Sequence, residues 1–148
     1  MSKVQIGDAT LDDLDAIHAI EVLAFPHPWT RRLLAKEFEH PWSRQRIARD
    51  EAGKVLGYLI SWKVADEVHI LDVAVHPEAR RKGVGRLLLE DCASMARESD
   101  SVSISLEVRR SNEGARALYR DLGFEIIGER PRYYVADRED AVVLEWVL

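Results

Sequence analysis

Apolar positions along the chain follow two periods, and the changes between them mark the elements. Leu14, Ile17 and Leu23 to Phe25, with His18 and Glu21 among them, fall on one rough helical face. Thr10 precedes that face as its expected N-cap, and Asp13, three residues on, is the acidic partner of a capping box. Pro26 and Pro28 end the helix, since proline lacks the N–H and clashes with the preceding turn. Thr30 is the expected cap of a second helix carrying Leu33, Leu34 and Phe38. Residues 3–7 read as a short strand. Residues 45–49 and 54–64 read as two more, with Ala52-Gly53 in the turn between them. Residues 67–75, EVHILDVAV, form another strand, which His76-Pro77 closes.

From Val84 the period lengthens. Val84, Leu87, Leu88, Cys92 and Met95 mark a helical face that runs to about Glu98. Then Val102, Ile104, Leu106 and Val108 alternate with Ser103, Ser105, Glu107 and Arg109, the period of a strand. Asn112 can cap a helix striped by Ala115, Leu118, Tyr119 and Leu122, and Gly123 sits where a C-cap glycine belongs. Strands near 124–129 and 141–147 follow, with RPRYYVADRED between them. The central strand–helix–strand run favours a right-handed crossover between parallel strands, and the short loops elsewhere favour antiparallel pairing. The expected fold is a single α/β (α+β) domain over residues 1–148. Its sheet is mixed, mostly antiparallel with a central parallel pair, and flanked by helices.

Composition narrows the classes without choosing among them. The 148 residues are 47% hydrophobic and 32% charged, ordinary globular values. A formal net charge of −5 argues against general nucleic-acid binding, which carries a basic footprint. It suits a basic peptide substrate. One cysteine, Cys92, forbids an internal disulfide and fits a cytoplasmic location. It lies on a helical stripe and reads as packing. The first residues, MSKVQIGDATLDDLDAI, do not have the form of a signal peptide, and no apolar run is long enough to span a membrane. His18, His27, His40, His69 and His76 show no metal-ligand spacing, so no metal is expected.

Candidate chemistry begins with RRKGVGR at 80–86. It lies between a strand and a helix, where free N–H groups and the helix dipole favour anions. Arg80, Arg81, Lys82 and Arg86 add full charges, and Gly83 and Gly85 let a ligand approach the backbone. The stretch is no Walker loop. It is a poor dinucleotide fingerprint, because Leu88 fills the third glycine position. Alone, it reads equally as a solvated helix start.

Arg80-x-x-Gly83-x-Gly85, following Val73-Ala74-Val75, resembles the acetyl-CoA-binding motif Q/R-x-x-G-x-G/A of the GNAT acyltransferases. Other stretches are similar to one branch of that family, the ribosomal-protein alanine N-acetyltransferases. These are Leu106 to Arg109, Ser111-Asn112, Ala117 to Tyr119, Leu122 to Phe124, Tyr133-Tyr134 and Arg138 to Ala141. Phe25 to Trp29 resembles that branch's Phe-Pro-Trp stretch, with His27-Pro28 as a variation.

The resemblance implies that Arg81, Lys82, Gly83, Val84, Gly85 and Arg86 hold the pyrophosphate of acetyl-CoA and that Arg80, the first position of the motif, also binds the cofactor. Val73, Ala74 and Val75 would pair with its pantetheine arm, and a backbone N–H near Val75 would face the thioester oxygen. Glu107 would be the general base acting through water, and Tyr119 the general acid that protonates the departing thiolate. Pattern alone leaves Glu107 as a polar-face residue beside Ser103 and Ser105, and Tyr119 as part of an apolar stripe. Asn112 would both cap its helix and touch the cofactor. Tyr133, Tyr134, Arg138, Glu139 and Asp140 would line the acceptor side, where the pattern itself gives a turn with two half-buried aromatics.

The activity implied is direct acetyl transfer to the α-amine of a protein N-terminus. The first-choice acceptor is the N-terminal alanine of the small-subunit ribosomal protein bS18, and the enzyme is expected to be a monomer away from membranes. A small amine or a lysine side chain is the rival acceptor. A catalytically silent acyl-CoA-binding module is the rival class, and a dinucleotide-dependent enzyme a third reading.

Overall fold

The computed structural model describes residues 3–148. Met1 and Ser2, which open both the expected domain and the stretch lacking signal-peptide form, lie outside them. The strands are β1 (Gln5–Asp8), β2 (Ser43–Arg49), β3 (Val55–Val64), β4 (Glu67–Val75), β5 (Ser103–Arg109), β6 (Glu125–Tyr134) and β7 (Glu139–Val147). The helices are α1 (Leu14–Ala24), α2 (Arg31–Glu37), α3 (Val84–Glu98) and α4 (Glu113–Leu122). All seven strands join one sheet in the order β1-β2-β3-β4-β5-β7-β6. β4 and β5 pair in parallel, and every other neighbouring pair is antiparallel. The mixed sheet with a central parallel pair is therefore as the sequence predicts.

Local chemistry sets the helix starts. The Thr10 side chain and the Asp13 carboxylate cap reciprocally ahead of α1, with Thr10 N–H donating to Asp13 Oδ2 at 2.9 Å. The Thr30 hydroxyl accepts from Leu33 N–H at the start of α2. The Asn112 carbonyl accepts from Ala115 N–H at the start of α4. Burial trims the predicted stripes: Leu23, Leu33 and Leu87 are exposed.

The sheet separates two cores. Val68, Ile70, Ile104, Leu106 and Val108 pack with Leu88, Leu89 and Cys92 of α3 and Tyr119 of α4. On the other face Ile47, Tyr58, Ile60 and Ala74 pack with Leu14, Ile17 and Ile20 of α1 and Leu34 of α2. Burial pushes the Cys92 thiol up to about 12, so it stays a neutral packing group.

Two strand ends depart from the sequence reading. β6 continues through Arg130 to Tyr134, and β7 begins at Glu139, leaving only residues 135–138 as the turn. Pro131 lies within the added length of β6. It sits on the outermost strand, where register breaks between Arg130 and Tyr134, and an edge strand needs no N–H there.

Candidate active site

The parallel pairing of β4 with β5 covers only Glu67↔Ser103 to Ile70↔Leu106. Beyond it, β4 continues against β3 alone and β5 against β7 alone. At the same level β4 has one residue too many. Ile60 faces Asp72 while Ser61 faces Ile70, so Leu71 bulges. A bulge bends its strand and re-aims the side chains beyond it. Val68 and Ile70 point toward α3, and after Leu71 it is Val73 and Val75 that do so. Leu71 to Val75 thus have no strand partner on the β5 side, and Glu107 to Arg109 none on the β4 side. Between these two free edges lies a cavity of about 640 Å³.

Glu107 and Tyr119 both line that cavity, from opposite faces of the sheet. Glu107 alternates with Leu106 and Val108, so it faces the α1/α2 side. Its Oε2 lies 2.6 Å from His69 Nε2, and Arg130 Nη2 lies 3.7 Å from its Oε1. The hydrogen bond from His69, more than the Arg130 charge, holds the Glu107 carboxyl below the usual range against the opposing effect of burial. The group is ionised at neutral pH. Tyr119 comes from α4 on the other face and is buried, which pushes its phenol above 10 and keeps it protonated. Its hydroxyl makes no hydrogen bond to any group among the described residues.

The basic loop stands at the end of β4. Arg80, Arg81, Lys82, Gly83 and Arg86 are exposed, whereas Val84 is buried as the first residue of α3. Gly83 has φ +79°, a left-handed conformation that suits glycine, and it offers no capping side chain. The first N–H groups of α3 therefore remain available to a ligand. A Cβ on Gly85 would meet Val75 at 3.6 Å and Leu118 at 3.5 Å, so the loop abuts both β4 and α4.

Residues 14–124 match the model of the acetyltransferase (GNAT) family. The chain belongs to the GNAT family. It is 33% identical over 146 residues to a putative [ribosomal protein bS18]-alanine N-acetyltransferase of Bacillus subtilis, covering 99% of this chain and 96% of that one. It is 34% identical over 141 residues to the [ribosomal protein bS18]-alanine N-acetyltransferase of Escherichia coli K12, covering 94% of each. The crystal structure of the ribosomal-protein-S18-alanine N-acetyltransferase from Escherichia coli superposes with a TM-score of 0.91 at 32% identity. That match covers 98% of this chain and 94% of the other. The chain is an N-acetyltransferase with the GNAT fold.

The remaining candidate residues of this GNAT chain divide in two. Val73, Asn112, Tyr133 and Tyr134 line the cavity. The tyrosine rings meet edge to face at 5.2 Å, and the Arg109 guanidinium lies 4.2 Å over Tyr134. Burial pushes the Tyr134 phenol up to about 12. Arg138, Glu139 and Asp140 instead line a separate shallow depression with Arg110 and Ser111. There Glu139 accepts from Ser111 N–H at 2.9 Å and from Arg109 at 3.0 Å, and Asp140 accepts from Arg132 N–H at 2.9 Å. These carboxylates brace the β6–β7 turn.

Two features escaped the sequence reading. His69 reaches Glu107 because β4 and β5 are parallel neighbours with both side chains on one face. The second is a buried acid cluster. Tyr58 OH donates to Glu21 Oε1 at 2.5 Å and lies 3.2 Å from Asp72 Oδ2, while Glu21 Oε2 accepts from Trp29 N–H at 2.9 Å. Burial beside Glu21 raises the Asp72 carboxyl well above its usual range, so it holds its proton. The cluster ties the Phe25–Trp29 segment to the cavity wall. Glu21, an acid on an apolar helical stripe, was its one sign in the sequence. Among the described residues no group of three or more His, Cys, Asp or Glu side chains is arranged to hold a metal.

Proposed function

We propose that this GNAT chain transfers the acetyl group of acetyl-CoA to the α-amine of a protein N-terminus, with the N-terminal alanine of bS18 as its first acceptor. The observation that carries the mechanism is the cavity between the diverging strands, with Glu107 on one face and Tyr119 on the other. The printed names of the relatives support the choice of acceptor.

The donor lies on the α3/α4 side. The free edge of β4 at Val73, Ala74 and Val75 pairs with the amides of the pantetheine arm, as a further strand would. The pyrophosphate meets the N-terminus of α3 and the cations of Arg80 to Arg86. Asn112 borders the arm while capping α4. A backbone N–H near Val75 faces the thioester oxygen and stabilises its developing charge.

The acceptor amine arrives on the α1/α2 side, between Tyr133 and Tyr134 and the Phe25–Trp29 segment. An α-amine has a pKa of roughly 7.7–8.0, so it arrives largely as the ammonium. Glu107, ionised, takes one proton of that ammonium through a water and frees the nitrogen lone pair for attack; the second proton, made acidic as the N–C bond forms, leaves through the same water to solvent. Collapse of the tetrahedral intermediate breaks the C–S bond. Tyr119 protonates the leaving thiolate, whose conjugate acid resembles a free thiol near 8.5.

Thiol release from acetyl-CoA, measured over a panel of peptides and amines, tests this reading. Peptides with an N-terminal alanine turn over, and the same peptides blocked at the α-amine do not. Turnover of polyamines or internal lysines with none on alanine termini would overturn the choice of acceptor. Glu107→Gln retains acetyl-CoA binding and loses turnover near pH 7. Wild-type turnover in that variant would remove Glu107 from the mechanism.

A further inference from the structure

His69 is unexplained by any role given so far. Its imidazole is one-third exposed, its Nε2 lies 2.6 Å from Glu107 Oε2, and the Glu107 side chain is itself only 10% exposed. The contact is longer in sequence than in space. It crosses from β4 to β5, one residue before the end of their pairing at Ile70↔Leu106. His69 therefore stands on the last rung but one below the opening, and Glu107 is the first residue of β5 beyond the pairing. A base on an unpaired strand end has nothing in its own backbone pairing on that side to hold its side chain. The imidazole supplies that hold.

We propose that His69 is a positioning residue for Glu107. Its Nε2–H pins Oε2 so that Oε1 is directed to the acceptor amine. This rests on the reading of Glu107 as general base. Oε1 has Arg130 at 3.7 Å, beyond hydrogen-bond reach, so it stays open to the acceptor.

The other ionisable groups on this face include Glu67 on β4, Arg109 on β5, Glu145 on β7 opposite Ser105, Arg130, Tyr133 and Tyr134 on β6, His27 after α1, and the Glu21–Asp72 pair beneath α1. Of these, only Arg130 makes an ion-pair contact with Glu107.

The test compares His69→Gln, which can keep an N–H donor but cannot charge, with His69→Ala, which keeps neither. Rates are taken with an alanine-starting peptide at saturating acetyl-CoA and pH 8. There His69→Ala loses about tenfold in kcat and His69→Gln recovers part of that loss. A His69→Ala rate equal to wild type, or a His69→Gln rate no better than that of His69→Ala, overturns the positioning role.

Glu107→Gln is run beside them. If it is inactive while both His69 variants behave as wild type, only this inference fails. If it is fully active, the general-base reading fails first. A readout free of turnover is the imidazole ¹H–¹⁵N spectrum of the unliganded protein. It shows His69 protonated at Nε2, with an Nε2–H resonance that moves in Glu107→Gln. Protonation at Nδ1 alone in the neutral ring would also overturn the proposal.

Discussion

Tyr119 has one hydroxyl, and its environment decides what that hydroxyl can do. Burial keeps the proton on it, and no protein group among the described residues competes for that proton. Tyr119→Phe removes the hydroxyl proposed as the acid and leaves the ring in its packing with Phe124, 5.5 Å away. We expect kcat to fall by about 10²-fold with little change in acetyl-CoA binding, measured by steady-state kinetics beside calorimetry. Equal loss in both would make Tyr119 a packing residue. Asp72 is a second case set by its surroundings. Its folded pKa lies above the unfolded 3.8, so the stability it contributes is fully present below that value and lost as pH rises through the raised one. Asp72→Asn abolishes that titration. The variant's stability relative to wild type should therefore be more favourable at pH 7 than at pH 3.5 in urea unfolding. The opposite order would mean that Asp72 is ionised in the fold.

Elements were legible in proportion to how local their causes are. Caps at Thr10, Thr30 and Asn112 are decided within three residues, and each stands where the sequence puts it. The extent of β6 is decided by its place at the sheet edge, which no residue in RPRYYVADRED announces. The bulge at Leu71 did leave a trace. Val68 and Ile70 alternate, an apolar pair Ile70-Leu71 breaks the alternation, and Val73 and Val75 resume it one residue late. His69 and Glu107 lie 38 positions apart, and only the parallel register of β4 and β5 joins them. Gly57 on β3 is a close approach of the same tertiary kind. A Cβ there would stand 2.7 Å from the Ala74 carbonyl oxygen and 3.2 Å from Leu88. Gly57→Ala should destabilise by about 2 kcal/mol in urea unfolding, since backbone must move to admit the methyl. By shifting Ala74 it should also weaken acetyl-CoA binding. An unchanged unfolding midpoint would show that β4 yields freely.

For the molecule as a whole, the opening between β4 and β5 is a place where a ligand completes the fold. A donor that pairs with the edge at Val73 to Val75 binds the folded chain and not the unfolded one. At a concentration 100 times its Kd it should add about 2.7 kcal/mol. Acetyl-CoA should accordingly raise the melting temperature and slow hydrogen exchange along residues 71–75, with NAD doing neither. Stabilisation by NAD with none by acetyl-CoA would restore the dinucleotide reading.

The sheet also works as a partition with a window in it. On the proposed mechanism each reactant approaches its own face, and their reacting atoms meet in the opening. Inhibitors of either half compete with one substrate and ignore the other. A compound that ties a short alanine-starting peptide to coenzyme A through an acetyl-length bridge would be threaded through the window and held on both sides. The second half then binds as an intramolecular event, and its affinity should exceed that of either half by 10²-fold or more, about the gain such linkage gives when the bridge fits. Bridge length becomes a ruler: the length at which that gain peaks measures the thickness of the partition at the point where the acetyl group passes.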